Sequence, residues 1–261
     1  MKEVLALPRD RHFRRAEVVT MRSAWNDPLA TFIGLKVGDN ASGHSHLDLG
    51  TFVLDALGER WADELGPMAY QLPGYFGRKR FAYYRSGTVG HNTLLMDGKN
   101  QYTRAVCAIH RFKTADDNAF AIADLTAAYS PVGAESVRRG IWLRDDRKRV
   151  LVQDEVKLKG PADIVWQMHT SATISLDARK TLATLAKNGK TFYAHILAPE
   201  KAYFAVEEVD LEKDGGYYEI PNERKLLVRL LEKTDDVRID VLLEPTLGQA
   251  APKVLPLQDW Q

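Results

Sequence analysis

The sequence has a single cysteine, Cys107, in 261 residues. No disulfide can form within the chain and no cysteine-based zinc cluster is available, so any metal site must draw on histidine and carboxylate. An excess of charge of either sign is also missing: 36 Lys and Arg stand against 35 Asp and Glu, a formal net charge of +1. A chain built to hold nucleic acid carries a clear basic excess, which argues against that partner. A local basic groove would still be enough to draw an acidic sugar. Long apolar runs are absent. No stretch approaches the length of a transmembrane helix. The apolar segment within Met1 to Asp10 is too short for a signal-peptide core and is broken by Pro8. The expectation is a chain without membrane span or export signal, and its cysteine usage leaves cytosol and periplasm both open. Internal repeats, low-complexity stretches and a Pro/Gly-rich linker are lacking as well.

What is present is strand material. Hydrophobic residues make up 45% of the chain, enough for a substantial core. Short β-branched and aromatic runs occur at 16–21, 31–37, 51–57, 93–96, 107–113, 119–124, 137–143, 150–156 and 164–169. They continue at 191–197, 202–209, 225–231 and 237–243. Asp97-Gly98, Asn188-Gly189 and Asp214-Gly215 are hairpin dipeptides. The apolar residues of 181–187 come in pairs, which composition alone would allow in a helix. Asn188-Gly189 followed by Thr191-Phe192-Tyr193 reads as a hairpin, so this segment is assigned to a strand. Trp61 to Leu65 is expected to form one short helix, and Arg144 to Arg149 a solvated turn. Many short strands punctuated by turns predict an all-β fold, a large antiparallel β-sandwich, with room for a smaller C-terminal sheet. A boundary near Thr170–Ser175 divides the chain into residues 1–170, the sandwich core, and 171–261, strands that complete or extend it.

Seven histidines are present, at 12, 44, 46, 91, 110, 169 and 195. Gly43-His44-Ser45-His46-Leu47-Asp48 stands out. In an extended segment residues two apart point the same way, so His44, His46 and Asp48 would line one face. Gly43 and Gly50 bracket them and permit close approach of another backbone. Imidazole is the commonest metal ligand, and a His/His/carboxylate set suits zinc. Asp63 and Glu64 follow in an acidic patch, and His91 lies in Gly90-His91-Asn92-Thr93. On spacing alone two readings stay open: metal ligands, or loop histidines hydrogen-bonded to nearby carbonyls. His169 reads as a core or sheet-end histidine, and His12, His110 and His195 as surface or structural.

The wider order of motifs carries more. Phe13-Arg14-Arg15-Ala16-Glu17-Val18-Val19-Thr20-Met21-Arg22-Ser23 leads to Gly43–Phe52. Then come Gly58-Glu59-Arg60-Trp61-Ala62, Tyr83-Tyr84-Arg85-Ser86, Gly90-His91-Asn92-Thr93-Leu94, Asp97-Gly98 and Gln101. Asp124 to Tyr129 and Arg139 to Asp154 continue the pattern. Over about residues 13–170 this resembles the β-sheet region of the heparinase II/III-like polysaccharide lyases.

The resemblance implies a lyase that cleaves uronic-acid-containing polysaccharide by β-elimination. It implies zinc as cofactor, held by His46 and His91 and by Glu64, with Asp63 as the alternative third ligand. The zinc would be structural, holding the loop that presents His44. It implies His44 as the catalytic histidine, suited to proton transfer or to neutralising the substrate carboxylate, and Asp48 as a partner that orients a histidine or satisfies loop amides. Beside the resemblance, Tyr83 and Tyr84 are candidates for substrate binding in a sugar cleft, with one of them expected in the core because neighbours on a strand face opposite ways. Arg85 reads either as a contact to an acidic sugar or as an exposed or structural ion pair. The family places an α/α toroid before this region, carrying a catalytic tyrosine and an asparagine or histidine. The expectation is therefore half of an active site, completed by a toroid in the full-length protein or in a separate chain. The partners implied are an acidic polysaccharide or oligosaccharide and that toroid, with no nucleic acid and no membrane. The resemblance also implies a periplasmic or cell-envelope location, while the lack of a signal peptide leaves the cytoplasm open. Two other functions compete with the lyase: a non-catalytic zinc-stabilised carbohydrate-binding module, and a zinc hydrolase.

Overall fold

A computed structural model describes residues 7–77, 79–209, 211 and 222–261. The Asp214-Gly215 turn lies outside the described residues. Among these residues the chain forms three antiparallel sheets. The first has five strands in the order β1-β2-β3-β5-β6: β1 Arg11–Phe13, β2 Val18–Arg22, β3 Phe32–Lys36, β5 Phe52–Ala56 and β6 Glu59–Ala62. The second runs β13-β14-β15-β18-β11-β10-β9-β8-β4. Its members are β4 Gly38–Asp39, β8 Val106–Thr114, β9 Ala119–Asp124, β10 Ala134–Arg144, β11 Arg149–Ala162, β13 Thr173–Leu176, β14 Leu182–Lys187, β15 Lys190–Ala198 and β18 Thr234–Glu244. The third is β16-β17-β12-β7, from β7 Leu95–Met96, β12 Ile164–Thr170, β16 Ala202–Glu208 and β17 Arg224–Leu230. The all-β sandwich expected from strand spacing is the fold of the chain.

Turn chemistry sets the registers. Asn188 and Gly189 both take positive φ (49° and 74°) and close β14 onto β15 with Lys187 opposite Lys190, as a two-residue hairpin requires. Asp97 and Gly98 do the same at 49° and 64°. The expected helix at Trp61–Leu65 does not form: Trp61 and Ala62 end β6, and residues 63–65 follow it without regular structure. Leu57 and Gly58 turn at φ 57° and 75°, pairing Ala56 with Glu59, a hairpin that the unremarkable Leu-Gly dipeptide does not announce. The pairing buries Trp61, whose ring stacks on Phe192 at 5.1 Å. The turn between β10 and β11 is also not simply solvated. Arg147 is only 2% exposed and its guanidinium meets both oxygens of Asp10 at 2.8 Å, tying the N-terminal segment to the large sheet.

One core joins the three sheets. Val19, Met21, Ile33, Leu35 and Leu54 of the five-stranded sheet pack with Ala121, Ile141, Val152 and Val241 of the nine-stranded sheet and with Trp166 and Val228 of the third. Strand β9 is buried on both faces. Its alanines face this core, while Phe120 and Ile122 face a smaller cluster closed by Leu257 and Trp260 from the C-terminal tail. Two segments without regular strands among the described residues, 40–50 and 63–94, connect the sheets and carry His44, His46 and His91.

Candidate functional site

The 40–50 segment leaves β4 and enters β5. His44 takes a left-handed conformation (φ 63°), uncommon for a residue with a Cβ. The segment is therefore not extended, and His44, His46 and Asp48 do not share a face. His44 is exposed, its ring 5.4 Å from that of Tyr70 and 6.0 Å from that of Phe76. His46 turns inward, with its ring 5.2 Å from the His91 ring. The Asp48 carboxylate pairs with Lys36 Nζ, which places it on neither a histidine nor a loop amide.

Buried side chains hold this segment by its backbone. Gln101 Nε2 donates to Leu49 O at 2.8 Å, and its Oε1 accepts from Leu49 N at 3.0 Å. Arg80 donates twice to Ser45 O, at 3.1 and 2.7 Å, and so fixes the peptide between the two histidines. Its guanidinium also lies over the Tyr75 ring at 4.6 Å. Gly50 has φ 87°, and a Cβ there would stand 2.5 Å from Leu125 Cδ1, so both its conformation and its space require glycine. Gly43 has no neighbour within 4 Å of such an atom, so the close approach expected at both glycines occurs at Gly50 alone.

The 63–94 segment presents the partners of His46. His91 is buried and its Nδ1 lies 2.8 Å from Glu64 Oε2. An ionised carboxylate only accepts, so this ring nitrogen carries the hydrogen. Glu64 Oε1 accepts from the Thr51 hydroxyl, whose oxygen accepts from Asn92 N at 3.0 Å. Burial opposes the charged forms of both His91 and Glu64. Their mutual attraction and hydrogen bond outweigh it, raising the His91 pKa and lowering that of Glu64. His46 is pushed down to about 3, by burial first and then by His91, with Arg80 and Lys36 acting in the same direction against Asp48. It is a neutral imidazole at ordinary pH. Asp63 is not part of the cluster: its Oδ2 accepts from Ser171 N and Oγ at 3.0 and 2.9 Å.

Of the metal candidates, the fold thus brings together His46, His91 and Glu64 and leaves Asp63 aside. Among the described residues no group of three or more His, Cys, Asp or Glu side chains is arranged as a ready ligand set. One feature matches a metal all the same. His91 Nε2 is buried without a hydrogen-bond partner, while Nδ1 is backed by a carboxylate, the usual second partner of a metal-bound histidine.

Tyr83 is the extended residue between two 3-10 turns, Arg80–Ala82 and Tyr84–Ser86, and Tyr84 opens the second; both tyrosines are half-buried. Tyr83 OH donates to Pro73 O at 2.7 Å. Tyr84 OH lies 3.0 Å from His169 Nε2, and His169 Nδ1 lies 3.1 Å from Asn92 Oδ1. Asn92 spends its Nδ2 on the carbonyls of Phe52 and Asp63, so its oxygen accepts from His169 and Tyr84 donates to the opposite ring nitrogen. Burial, reinforced by Lys225 and His91, holds His169 neutral, with its pKa well below the usual range. It is a core histidine, as its sequence context suggests. Arg85 is 2% exposed and donates to Leu65 O at 2.9 Å and Pro67 O at 3.2 Å. That burial sets its guanidinium on carbonyls of the 63–94 segment, in keeping with the structural reading of this residue.

Several residues beyond the sequence candidates complete the site. Arg139 is fully buried, bidentate to Asp154 at 2.8 Å, and donates through Nη1 to Gly50 O at 2.8 Å and Asn92 O at 2.6 Å. It joins the two histidine-bearing segments to the large sheet. In the sequence it falls within the family pattern but has no role assigned to it. The exposed aromatics Tyr70 and Phe76 had a signal, in that Tyr70 to Gly77 places three aromatics among Gly and Pro, a loop with rings.

The solved structures most like this one share its fold at low sequence identity. Heparan sulfate lyase HepC from Pedobacter heparinus superposes with a TM-score of 0.73 at 18% identity, over 94% of this chain and 37% of the lyase. Heparinase III, the BT4657 gene product, gives 0.76 at 18% identity, over 92% of this chain and 37% of that one. The chain thus spans little more than a third of the length of these enzymes. No curated protein matches it in sequence. The family described as heparinase II/III-like, C-terminal, matches residues 7–229. With that match over most of its length, the chain belongs to the heparinase II/III-like family and corresponds to its C-terminal β region.

Proposed function

We propose that this chain is the β-sandwich part of a polysaccharide lyase that cleaves a uronate polymer by β-elimination, together with an α/α toroid in a longer polypeptide or a separate chain. The observation that carries the reading is the presentation of His44. Its imidazole stands exposed beside Tyr70 and Phe76, on a peptide that Arg80 fixes through Ser45 O. An exposed titratable ring flanked by aromatic faces suits a sugar. In the elimination the proton on C5 leaves to a base, the electron pair forms the C4=C5 double bond, and the bond from C4 to the glycosidic oxygen breaks as that oxygen gains a proton. His44 either moves one of these protons or neutralises the C5 carboxylate. Replacement by glutamine separates the two roles: Gln keeps a hydrogen bond but cannot titrate, so retained activity assigns carboxylate binding and lost activity assigns proton transfer.

Zinc belongs to the same proposal. His46 and His91 would supply ring nitrogens, and Glu64, the third expected ligand, would have to leave His91 Nδ1 to give an oxygen to a metal on Nε2. Neutral His46 and the unpartnered Nε2 of His91 support it. The ion would cross-link the 40–50 and 63–94 segments and so hold the peptide that presents His44. Metal analysis tests this directly: zinc in the wild type and its loss in His46→Ala are expected, and equal zinc in both would refute the ligand assignment. A periplasmic or cell-envelope location follows from a polymer substrate and is read by cell fractionation.

The activity test supplies the chain with its toroid and offers heparan sulfate and unsulfated uronate polymers. Ultraviolet absorbance of a 4,5-unsaturated product is expected. Cleavage without that absorbance would mean hydrolysis, and binding without cleavage would mean a carbohydrate-binding module.

A further inference from the structure

Apart from the His44, His46 and His91 cluster, the turn between β1 and β2 carries a group of exposed cations. Arg11, Arg14 and Arg15 are all exposed within five residues. Among the described residues none of the three forms an ion pair with an acidic side chain. Acidic groups nearby are already engaged. Both oxygens of Asp10 are held by Arg147, and Glu17 Oε2 accepts from Ile109 N at 2.7 Å and lies 3.2 Å from His12 Nε2. In a chain whose formal net charge is only +1, three unmatched guanidinium groups side by side are a local field rather than an average property.

The surface there is concave. Asp10, Arg11, His12, Phe13, Arg14 and Phe112 line most of a groove of about 730 Å³. Phe13 is 50% exposed, and the His12 ring meets Phe112 edge-on at 6.1 Å. The groove therefore offers an aromatic face beside planar, bidentate cations. Guanidinium forks match sulfate and carboxylate oxygens, while an exposed ring suits the apolar face of a pyranose. Lys36, on the strand that follows, pairs with Val18 in register and bonds to Asp48, so the β1–β2 turn lies at the same end of its sheet as the 40–50 segment.

We propose that this groove is a binding site for a sulfated uronate polysaccharide, outside the histidine cluster. The choice of polymer rests on the lyase reading; the groove itself does not. Sulfation is indicated by charge density. The three arginines fall within five residues of one hairpin, so they need closely spaced anionic groups. A chain in which uronate alternates with a neutral sugar carries one carboxylate per disaccharide and reaches that density only with added sulfate.

Calorimetric titration of the chain with a size-defined heparan sulfate oligosaccharide tests this without any need for cleavage. Binding that weakens with salt is expected. Arg11→Gln/Arg14→Gln/Arg15→Gln should weaken it by about tenfold, since three exposed charge contacts are lost, and should flatten the salt dependence. A control with the same charge change elsewhere, Lys148→Gln/Lys201→Gln/Lys253→Gln at exposed lysines, should bind like the wild type. Equal loss in both variants, no binding by the wild type, or equally tight and equally Arg-dependent binding of single-stranded DNA of matched charge would each overturn the site. Because binding is read apart from catalysis, its failure leaves the lyase reading standing. Absence of an unsaturated product likewise leaves this groove standing.

Discussion

The β10–β11 hairpin and the 63–94 segment are held in place by different means. In the hairpin the backbone orders itself: Val137 to Arg144 pairs residue by residue with Arg149 to Val156, and each strand has a second neighbour in the sheet. In 63–94 the backbone bonds to itself mainly in isolated short turns, such as Arg80 N to Gly77 O and Gly90 N to Gly87 O, and side chains satisfy carbonyls that these turns leave over. Arg85 satisfies Leu65 O and Pro67 O, Asn92 satisfies Phe52 O and Asp63 O, and Gln167 reaches toward the carbonyls of Thr88 and Thr93. A ladder spreads its stability over many equivalent bonds, whereas a side-chain scaffold concentrates it in a few residues. The site residues therefore depend on a small number of buried polar groups, several of them contributed by the sheets.

Arg139 is where the two regimes meet, so its loss should have the largest effect. Arg139→Ala leaves Asp154 charged and buried and frees the carbonyls of Gly50 and Asn92. A loss of about 3–5 kcal/mol in denaturant unfolding is expected. Gln101→Ala comes next. It strips the Leu49 N–H of its partner and leaves Leu49 O with the Thr93 hydroxyl alone, at a cost of about 1–2 kcal/mol. Its amide exchange should rise across 40–50 and stay unchanged in β10 and β11. Exchange that rises equally in the hairpin would break the comparison.

The pH dependence sharpens it from the sheet side. Asp240 is fully buried on β18, and burial raises its pKa from 3.8 to about 7, with Asp154 and Glu155 adding to the shift and Arg238 opposing it. The folded state therefore keeps a proton that the unfolded chain releases. Stability contributed by the neutral acid is full below about pH 4 and is lost as pH rises to about 7. Asp240→Asn should flatten that slope and be the more stable protein at pH 8, by about 1 kcal/mol or more. An unchanged slope in thermal or urea unfolding would contradict it. The smallest effect belongs to exposed ladder positions: Lys157→Ala, on the solvent side of β11, should change stability by less than about 0.5 kcal/mol.

The same contrast explains what could be read from the sequence. Strands announce themselves through local alternation and turn dipeptides, and β9, β12, β14 and β15 fall where those signals put them. The Leu57-Gly58 hairpin escaped because leucine rarely takes the positive φ that the first turn position needs here, so the dipeptide does not read as a hairpin, and Trp61–Leu65 reads as helix for want of it. The histidines were legible as a group. Their division was not: it depends on a left-handed residue at His44 and on Arg80, thirty-five positions away, holding Ser45 O. Glu64 and Asp63 could not be separated by spacing, because Ser171, far along the chain, is what claims Asp63. Arg85 reads from sequence as a sugar contact or as a structural arginine, and only its partners, carbonyls beneath the surface, favour the second.

The account's central claim is that His44 faces the substrate while His46 holds the scaffold behind it. The most direct measurement is the rate of unsaturated-uronate formation by His44→Ala, assayed with the toroid present and with zinc content determined on the same sample. The account predicts a fall of about 10²–10⁴-fold, the range for loss of a proton-transfer group, with zinc and folding stability at wild-type levels. A rate close to wild type, or loss of zinc along with the activity, would contradict it.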